Sequence, residues 1–218
     1  VTFADMSIIN PSYSINPDIT DEKGVTTDIG VRGNINKKIS YEITAFNLLY
    51  NDRIGFIQKE FNDGSIKSER GNVGDASIYG IESIIDFDLN NLLINNQNIS
   101  LNYFINTGII DSKYTRSKEN GVVGKKVEFV PNINIKTGIK YGIKNFLSNI
   151  QLTYLSRQFT DSSNATKGNM SGVIGEIPQY LLLDISFSFK YNKVKAETGI
   201  NNLLDEEYFT RRATGYPG

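Results

Sequence analysis

From Tyr79 to Leu89 the chain alternates. Tyr79, Ile81, Ser83, Ile85, Phe87 and Leu89 share one parity, and Gly80, Glu82, Ile84, Asp86 and Asp88 share the other. A period of two sends successive side chains to opposite faces of a strand, so this segment has one oily face and one wetter face. The pattern recurs along most of the chain and predicts eight strands. They run from about Gly24 to Gly33, Lys38 to Ile57, Asp75 to Leu89, Asn98 to Ile110, Lys126 to Ile143, Leu147 to Thr160, Pro178 to Tyr191 and Val194 to Leu204. The fifth is the longest clean case of alternation, with Val127, Phe129, Ile133, Ile135, Ile139 and Tyr141 opposite Glu128, Asn134, Lys136 and Lys140. Pro131 lacks a ladder donor, which places that part of the strand at a rim or bulge. In the second strand the apolar parity shifts near Phe46, Leu48 and Tyr50, as at a bulge or a membrane exit.

The connections carry a second signal. Short turns at Asn34 to Lys37, Lys144 to Phe146 and Asn192 to Lys193, and a simple one at Asn90 to Gln97, alternate with long polar ones. The long connections are Gln58 to Gly74, Asp111 to Lys125 and Asp161 to Ile177. Strands therefore run up and down, with one smooth end and one ornamented end, as in outer-membrane barrels. A soluble β-sandwich or barrel shares the alternation but turns its oily face inward. Three features favour the membrane. Many strands exceed the five or six residues typical of soluble sheets. The polar face carries Glu82, Asp86, Asp88, Glu128, Lys136, Lys140, Asp184 and Lys190, as a wet lumen would. Tyr79, Phe129, Tyr141 and Tyr191 sit near the ends of apolar faces, where membrane girdles belong. The fold class expected is all-β, an antiparallel up-and-down transmembrane β-barrel portion of about eight strands.

Composition narrows the chemistry. The 218 residues include no cysteine and no histidine. This removes disulfide scaffolds, thiolate metal sites, the commonest zinc ligand and the usual base of a hydrolase triad. An outer-membrane lipase or protease is disfavoured on that ground, and the chain is expected not to be an enzyme. A net charge of −1 provides no field for nucleic acid. No run of about 18 apolar residues forms a membrane helix, and Val1 to Asn10 lacks the basic and apolar regions of a signal peptide. A mean hydropathy of −0.30 does not argue against a barrel, whose alternation averages out.

Five boxes carry a family resemblance. Asn201-Asn202-Leu203-Leu204-Asp205-Glu206-Glu207-Tyr208-Phe209 resembles the penultimate-strand motif of TonB-dependent outer-membrane receptors, an Asn-Leu-x-Asp box followed by Tyr. Asp28 to Gly33, Ala45-Phe46 through Asn51-Asp52-Arg53-Ile54, Asn72 to Ala76 with Tyr79-Gly80-Ile81-Glu82, and Val130-Pro131 resemble upstream strands of that family, in the same order. The tail from Tyr208 to Gly218 is similar to the ferric dicitrate receptor branch in Bacteroidetes-type bacteria. The resemblance implies a barrel of about 22 strands filled by an N-terminal plug. Residues 1–218 would then be a C-terminal part of that barrel, ending within the last outside loop, with plug, TonB-contact segment and last strand not in this chain. It also implies partners: outer-membrane lipid and lipopolysaccharide, the receptor's own plug and remaining strands, and the TonB-ExbB-ExbD complex.

The implied cargo is an iron chelate, ferric dicitrate or another siderophore, with no covalent cofactor and no resident metal. Such chelates are anionic, and the planar fork of arginine suits carboxylates. Candidates on the expected outer side are Arg70, Arg116, Arg157, Arg211 and Arg212, with Tyr208 and Tyr216 beside the arginine pair. Each competes with plain solvation of a polar loop. Asp205, Glu206 and Glu207 read as a solvated rim rather than a metal site, and Asn62-Asp63-Gly64-Ser65 as a turn. Lys136 and Lys140 opposite Glu128, Asp86 and Glu82 suggest lumenal ion pairs. If Asn201 to Tyr208 ascends, the chain from Arg211 onward lies outside. A passive pore or surface-binding barrel, and a soluble carbohydrate-binding sandwich, remain as competing readings.

Overall fold

The computed structural model describes residues 13–168 and 173–210. The strands are β1 (Tyr13–Ile15), β2 (Lys23–Ile35), β3 (Ile39–Glu60), β4 (Ile66–Asp88), β5 (Ile99–Arg116), β6 (Ile133–Ile143), β7 (Phe146–Leu155), β8 (Gln158–Phe159), β9 (Glu176–Ile177), β10 (Tyr180–Tyr191) and β11 (Val194–Ile200). A single π-turn, Asn90–Ile94, joins β4 to β5. The long strands form one antiparallel sheet in the order β11-β10-β7-β6-β5-β4-β3-β2. Only β1 adds in parallel, along the part of β4 that β5 does not reach. Among the described residues β2 and β11 are the two edges, each with one unpaired side.

Register shows which face points where. Ile39, Phe87, Tyr103, Ile139, Ile150, Ile185 and Ile200 lie side by side across the sheet. Ile29, Ala45, Ile81, Ile109 and Ile133 form a second such row. Arg32, Glu42, Ile84, Asn106, Lys136, Thr153 and Leu182 form a row of the other parity. The polar parity lines a hollow of about 510 Å³ beside Glu42, Glu82, Asn106, Asn134, Lys136 and Thr153. Along β3 and β5 it is the more enclosed side: Thr44, Phe46 and Leu48 are half-buried and Phe104 is buried, whereas Ile43, Ala45 and Ile109 are exposed. That face is therefore concave and the oily face convex. Ile29, Ile43, Ile81, Ile139 and Ile150 are exposed rather than gathered in a dry centre. A convex apolar belt is what lipid requires, and pairing between neighbouring strands meets the demand that lipid places on backbone amides everywhere except along the outer sides of β2 and β11.

Aromatics gather at the short-turn end of the belt. Phe87 and Tyr103 pack at 5.8 Å and Phe146 and Phe187 stack at 6.0 Å. On the concave side the Phe104 ring edge abuts Gly138, where a Cβ would fall 2.8 Å from it, and Lys140 Nζ rests 4.9 Å from the Phe104 ring centre. The glycine thus makes room for a large ring on a neighbouring strand.

Several expected boundaries move. β3 and β4 continue through most of the expected 58–74 loop and leave only a tip at residues 61–65. There Asp63 Oδ1 accepts the Ser65 amide at 2.9 Å and its hydroxyl at 2.6 Å, a turn as expected. The expected fifth strand begins at Ile133 rather than Lys126. Its first half bends away because Phe129 takes φ 58 and Pro131 has no amide to give. Val127 is fully buried and Phe129 packs edge-on to Phe56 at 6.2 Å, so neither belongs to a lipid girdle. The expected sixth strand ends at Leu155, and β8 is a separate two-residue pair with β9. The expected eighth strand ends at Ile200 rather than Leu204. Phe46, Leu48 and Tyr50 keep the concave parity. The bulge falls just beyond them, between Tyr50 and Arg53, with Asp52 at φ 51.

Candidate functional site

Above the bulge the sheet changes character. The extra residue at Asp52 flips parity, so Arg53, Gly55 and Ile57 follow Tyr50 onto the concave side. Ile57, Val73, Ala76, Tyr114, Val122 and Val127 pack there as a buried cluster, with Tyr50, Ile78 and Val130 against it. This cap at the long-loop end is the hydrophobic cluster of buried residues found among the described residues. It is built from β3, β4, β5 and the 117–132 connection.

A buried polar triad lies within it. Arg53 Nη1 meets Glu128 Oε1 at 2.7 Å and donates to the Tyr114 hydroxyl at 3.1 Å. Tyr114 donates to Glu128 Oε2 at 2.6 Å. The Glu128 side chain is 2% exposed. Burial opposes the Arg53 charge, but Glu128 and Tyr114 outweigh it and push the guanidinium up. Burial and then Glu128 push the Tyr114 phenol well above its ordinary value, so it stays a donor. Gly55 makes room for this carboxylate, because a Cβ there would run into Glu128 and Val73.

The β7–β10 connection is stitched to the same cap. The Lys126 amide donates to Asn164 Oδ1 at 2.7 Å, and Asn164 Nδ2 donates to the Lys126 carbonyl at 2.9 Å. The Ser162 amide donates to the Phe56 carbonyl at 2.9 Å. Buried Asp161 accepts from the Ser163 amide at 2.8 Å and from Gln58 Nε2 at 3.3 Å. The connection leaves the sheet at β7 and returns at β10, yet it docks on β3, four strands away. It therefore spans the mouth of the curved wall.

The residues expected to bind ligand fall unevenly on this arrangement. Arg211, Arg212 and Tyr216 lie outside the described residues. Tyr208 packs against Tyr180 with tilted rings 4.6 Å apart, and Tyr180 lines the outer end of the concave hollow. Arg157 approaches Glu176 at 3.4 Å beside a smaller hollow of about 350 Å³ shared with Asn132, Ser156 and Gln179. Arg116 pairs with Asp75 at 2.8 Å, and Arg70 lies over the Phe56 ring at 5.1 Å. The motif residues form a folded turn instead of an ascending strand. Asn202 takes φ 51 and Asp205 φ 53. Asn202 Nδ2 donates to the Glu206 carbonyl, and the Glu206 amide donates back to Asn202 Oδ1, both at 3.0 Å. Asp184 Oδ1 accepts the Asn202 amide at 2.9 Å, and the Leu183 carbonyl accepts that of Leu203 at 2.7 Å. Asn201, Leu203 and Asp205 are exposed on this turn.

The expected lumenal ion pairs do not form among the described residues. Glu128 is committed to Arg53, and Lys140 covers Phe104. Sequence reasoning passed over Tyr114, Asp161 and Asn164, gave no role to Arg53, and assigned Glu128 to lumenal lysines rather than to Arg53. Arg53 sat inside a quoted box, but no local pattern says that it reaches a glutamate from another connection.

The comparisons agree with this geometry. A model of the family described as TonB dependent receptor-like, beta-barrel matches residues 2–203. The ferric citrate transporter FecA in its unliganded form is 21% identical with a TM-score of 0.70, covering 86% of this chain and 27% of FecA. The ferric yersiniabactin uptake receptor FyuA from Yersinia pestis is 17% identical with a TM-score of 0.63, over 87% of this chain and 26% of FyuA. The copper transporter OprC is 17% identical with a TM-score of 0.64, over 88% and 27%. This chain thus spans about a quarter of the length of those structures. Barrels of this kind stand in the outer membrane of Gram-negative bacteria. By fold, by face polarity and by the match over residues 2–203, the chain belongs to the TonB-dependent receptor β-barrel family.

Proposed function

We propose that this chain forms a C-terminal part of the wall and outer cap of a receptor that imports an iron chelate by energy-coupled transport. The observation that carries the reading is the polar, concave face roofed at its outer end by a packed cap, on a sheet whose two edges call for further strands. A plug would fill the hollow, and the TonB-ExbB-ExbD complex would supply the drive. In this reading the chain contributes wall and outer loops rather than catalysis.

Ferric dicitrate is the finer assignment. It rests on the similarity of the tail and on the chemistry of Arg211, Arg212 and Arg157 with Tyr208 and Tyr216, which suits an anionic chelate. The placement of Tyr208 and Arg157 near the outer ends of β7 and β10 supports it. The test is uptake of radioactive iron into a receptor-deletion strain, iron-starved with citrate as the sole chelator and complemented with the full receptor. Uptake that requires the receptor and stops when a protonophore collapses the energy supply is the expected result. Double substitution Arg211→Ala with Arg212→Ala should weaken it about tenfold or more. Uptake that persists without energy would instead identify a passive pore.

A further inference from the structure

The smooth end of the wall has a feature that turn chemistry does not explain. Lysine stands at three of the four connections there: Lys37 between β2 and β3, Lys144 between β6 and β7, and Lys193 between β10 and β11. All three are exposed, and among the described residues none forms a salt bridge. Two of them occupy backbone that disfavours them. Lys37 has φ 58 and Lys144 φ 51, the left-handed region that glycine and asparagine enter at little cost and other L-residues do not. Asparagine is available to this chain and is used in just that way at Asn36 and Asn192. Lysine at such positions indicates that the charge itself is in demand.

What the charge faces is set by its neighbours. Lys144 precedes Phe146, which stacks on Phe187, and Lys193 follows Tyr191. Phe187, Phe189, Tyr191 and Val194 are exposed on the convex face. The Lys190 amide donates to the Asn145 carbonyl at 2.9 Å and holds the two lysine-tipped turns side by side, about 10 Å apart by strand spacing. Aromatic belts lie at head-group height, so the lysine tips stand in the plane of the phosphates. The fourth connection extends the oily belt instead, with Leu92, Leu93 and Ile94 exposed.

We propose that the lysine-tipped turns form a collar that selects anionic phospholipids of the periplasmic leaflet. One phosphodiester sits between Lys144 and Lys193, with its acyl chains along Phe146, Phe187 and Phe189, and Lys37, about 19 Å farther along the rim by strand spacing, holds a second lipid. The collar is continuous with the lipid-facing belt and complementary in charge to its occupant. It is independent of the cargo that the receptor carries.

Glycine is the informative substitution, because Lys37→Gly and Lys144→Gly remove the charge while relieving the backbone. The intact receptor, with Lys37→Gly, Lys144→Gly and Lys193→Gly combined, is placed in phosphatidylcholine bilayers containing spin-labelled phosphatidylglycerol. Wild type should prefer that probe over spin-labelled phosphatidylcholine, and added salt should erode the preference. The triple variant should lose about fivefold or more in association constant, the worth of a single lysine at an anionic surface, while melting no earlier than wild type. Arginine at the same three positions should retain the preference. Equal binding of the two probes by wild type, or an unchanged preference in the stably folded triple variant, would overturn the proposal. In either case the collar would not select lipid.

Discussion

Arg53→Ala isolates the cap from the wall. The substitution leaves the Glu128 carboxylate, 2% exposed, with Tyr114 as its remaining partner in the triad. Breaking a buried ion pair by removing one member costs about 3–5 kcal/mol. Since 1.4 kcal/mol is tenfold, the open state of the 117–132 connection should become about a hundredfold or more better populated. Hydrogen exchange followed by mass spectrometry reads this directly. Peptides over 117–132 and 156–168 should exchange faster, and those over β5, β6 and β7 below the bulge should not. The combined change Arg53→Met with Glu128→Leu should recover most of the protection, because apolar residues of similar size often replace a buried pair without loss. The same triad fixes a pH response. The Tyr114 phenol is raised in the fold, so its contribution is complete at neutral pH and is lost only as pH climbs above about 10. Unchanged exchange in Arg53→Ala, or a double variant as open as the single one, would show that the cap does not depend on the pair.

Two further changes probe the wall and the motif. Ile43 lies midway between the row of Tyr79 and the row of Phe87 and is 38% exposed. Ile43→Arg should therefore lower stability by about 2–4 kcal/mol in urea titrations of the bilayer-folded barrel, whereas Thr44→Arg on the concave face should cost far less. Asn202→Ala removes both bonds to the Glu206 backbone and should destabilise the 201–208 turn by about 1–3 kcal/mol. Proteolysis should become faster after Leu203 while the barrel's melting temperature is unchanged.

Where lipid tests every strand, the sequence was readable. Ile39, Phe87, Tyr103, Ile139 and Ile185 are far apart in the chain, yet they share one row because a single apolar boundary imposes one parity on all of them. Beyond the boundary that constraint ends. Val127 and Phe129 kept a strand-like alternation with Ile133, but the first is buried in the cap and the second bends the backbone at φ 58. One inserted residue at Asp52 was enough to exchange the faces of β3. For the same reason the Asn202 motif was visible as letters while its turn was not. The Asn202 side chain closes a ring onto Glu206, and the Asp184 carboxylate that anchors it comes from a different strand.

The cap and the wall are therefore held by different forces, and this bears on how a receptor of this build can respond to a ligand. The wall has no dry centre of its own, so backbone ladders and lipid around its convex face fix its shape. Small changes inside the hollow cannot bend it without breaking ladder bonds strand by strand. The cap is held by a modest apolar cluster, one buried charge triad and the Asn164 clamp, each of which can open without disturbing a membrane strand. Under the function proposed above, ligand binding at the outer end should therefore be felt first as a change in the 117–132 and 156–168 connections. A substitution that loosens the triad should alter ligand affinity while leaving the barrel's melting temperature where it was.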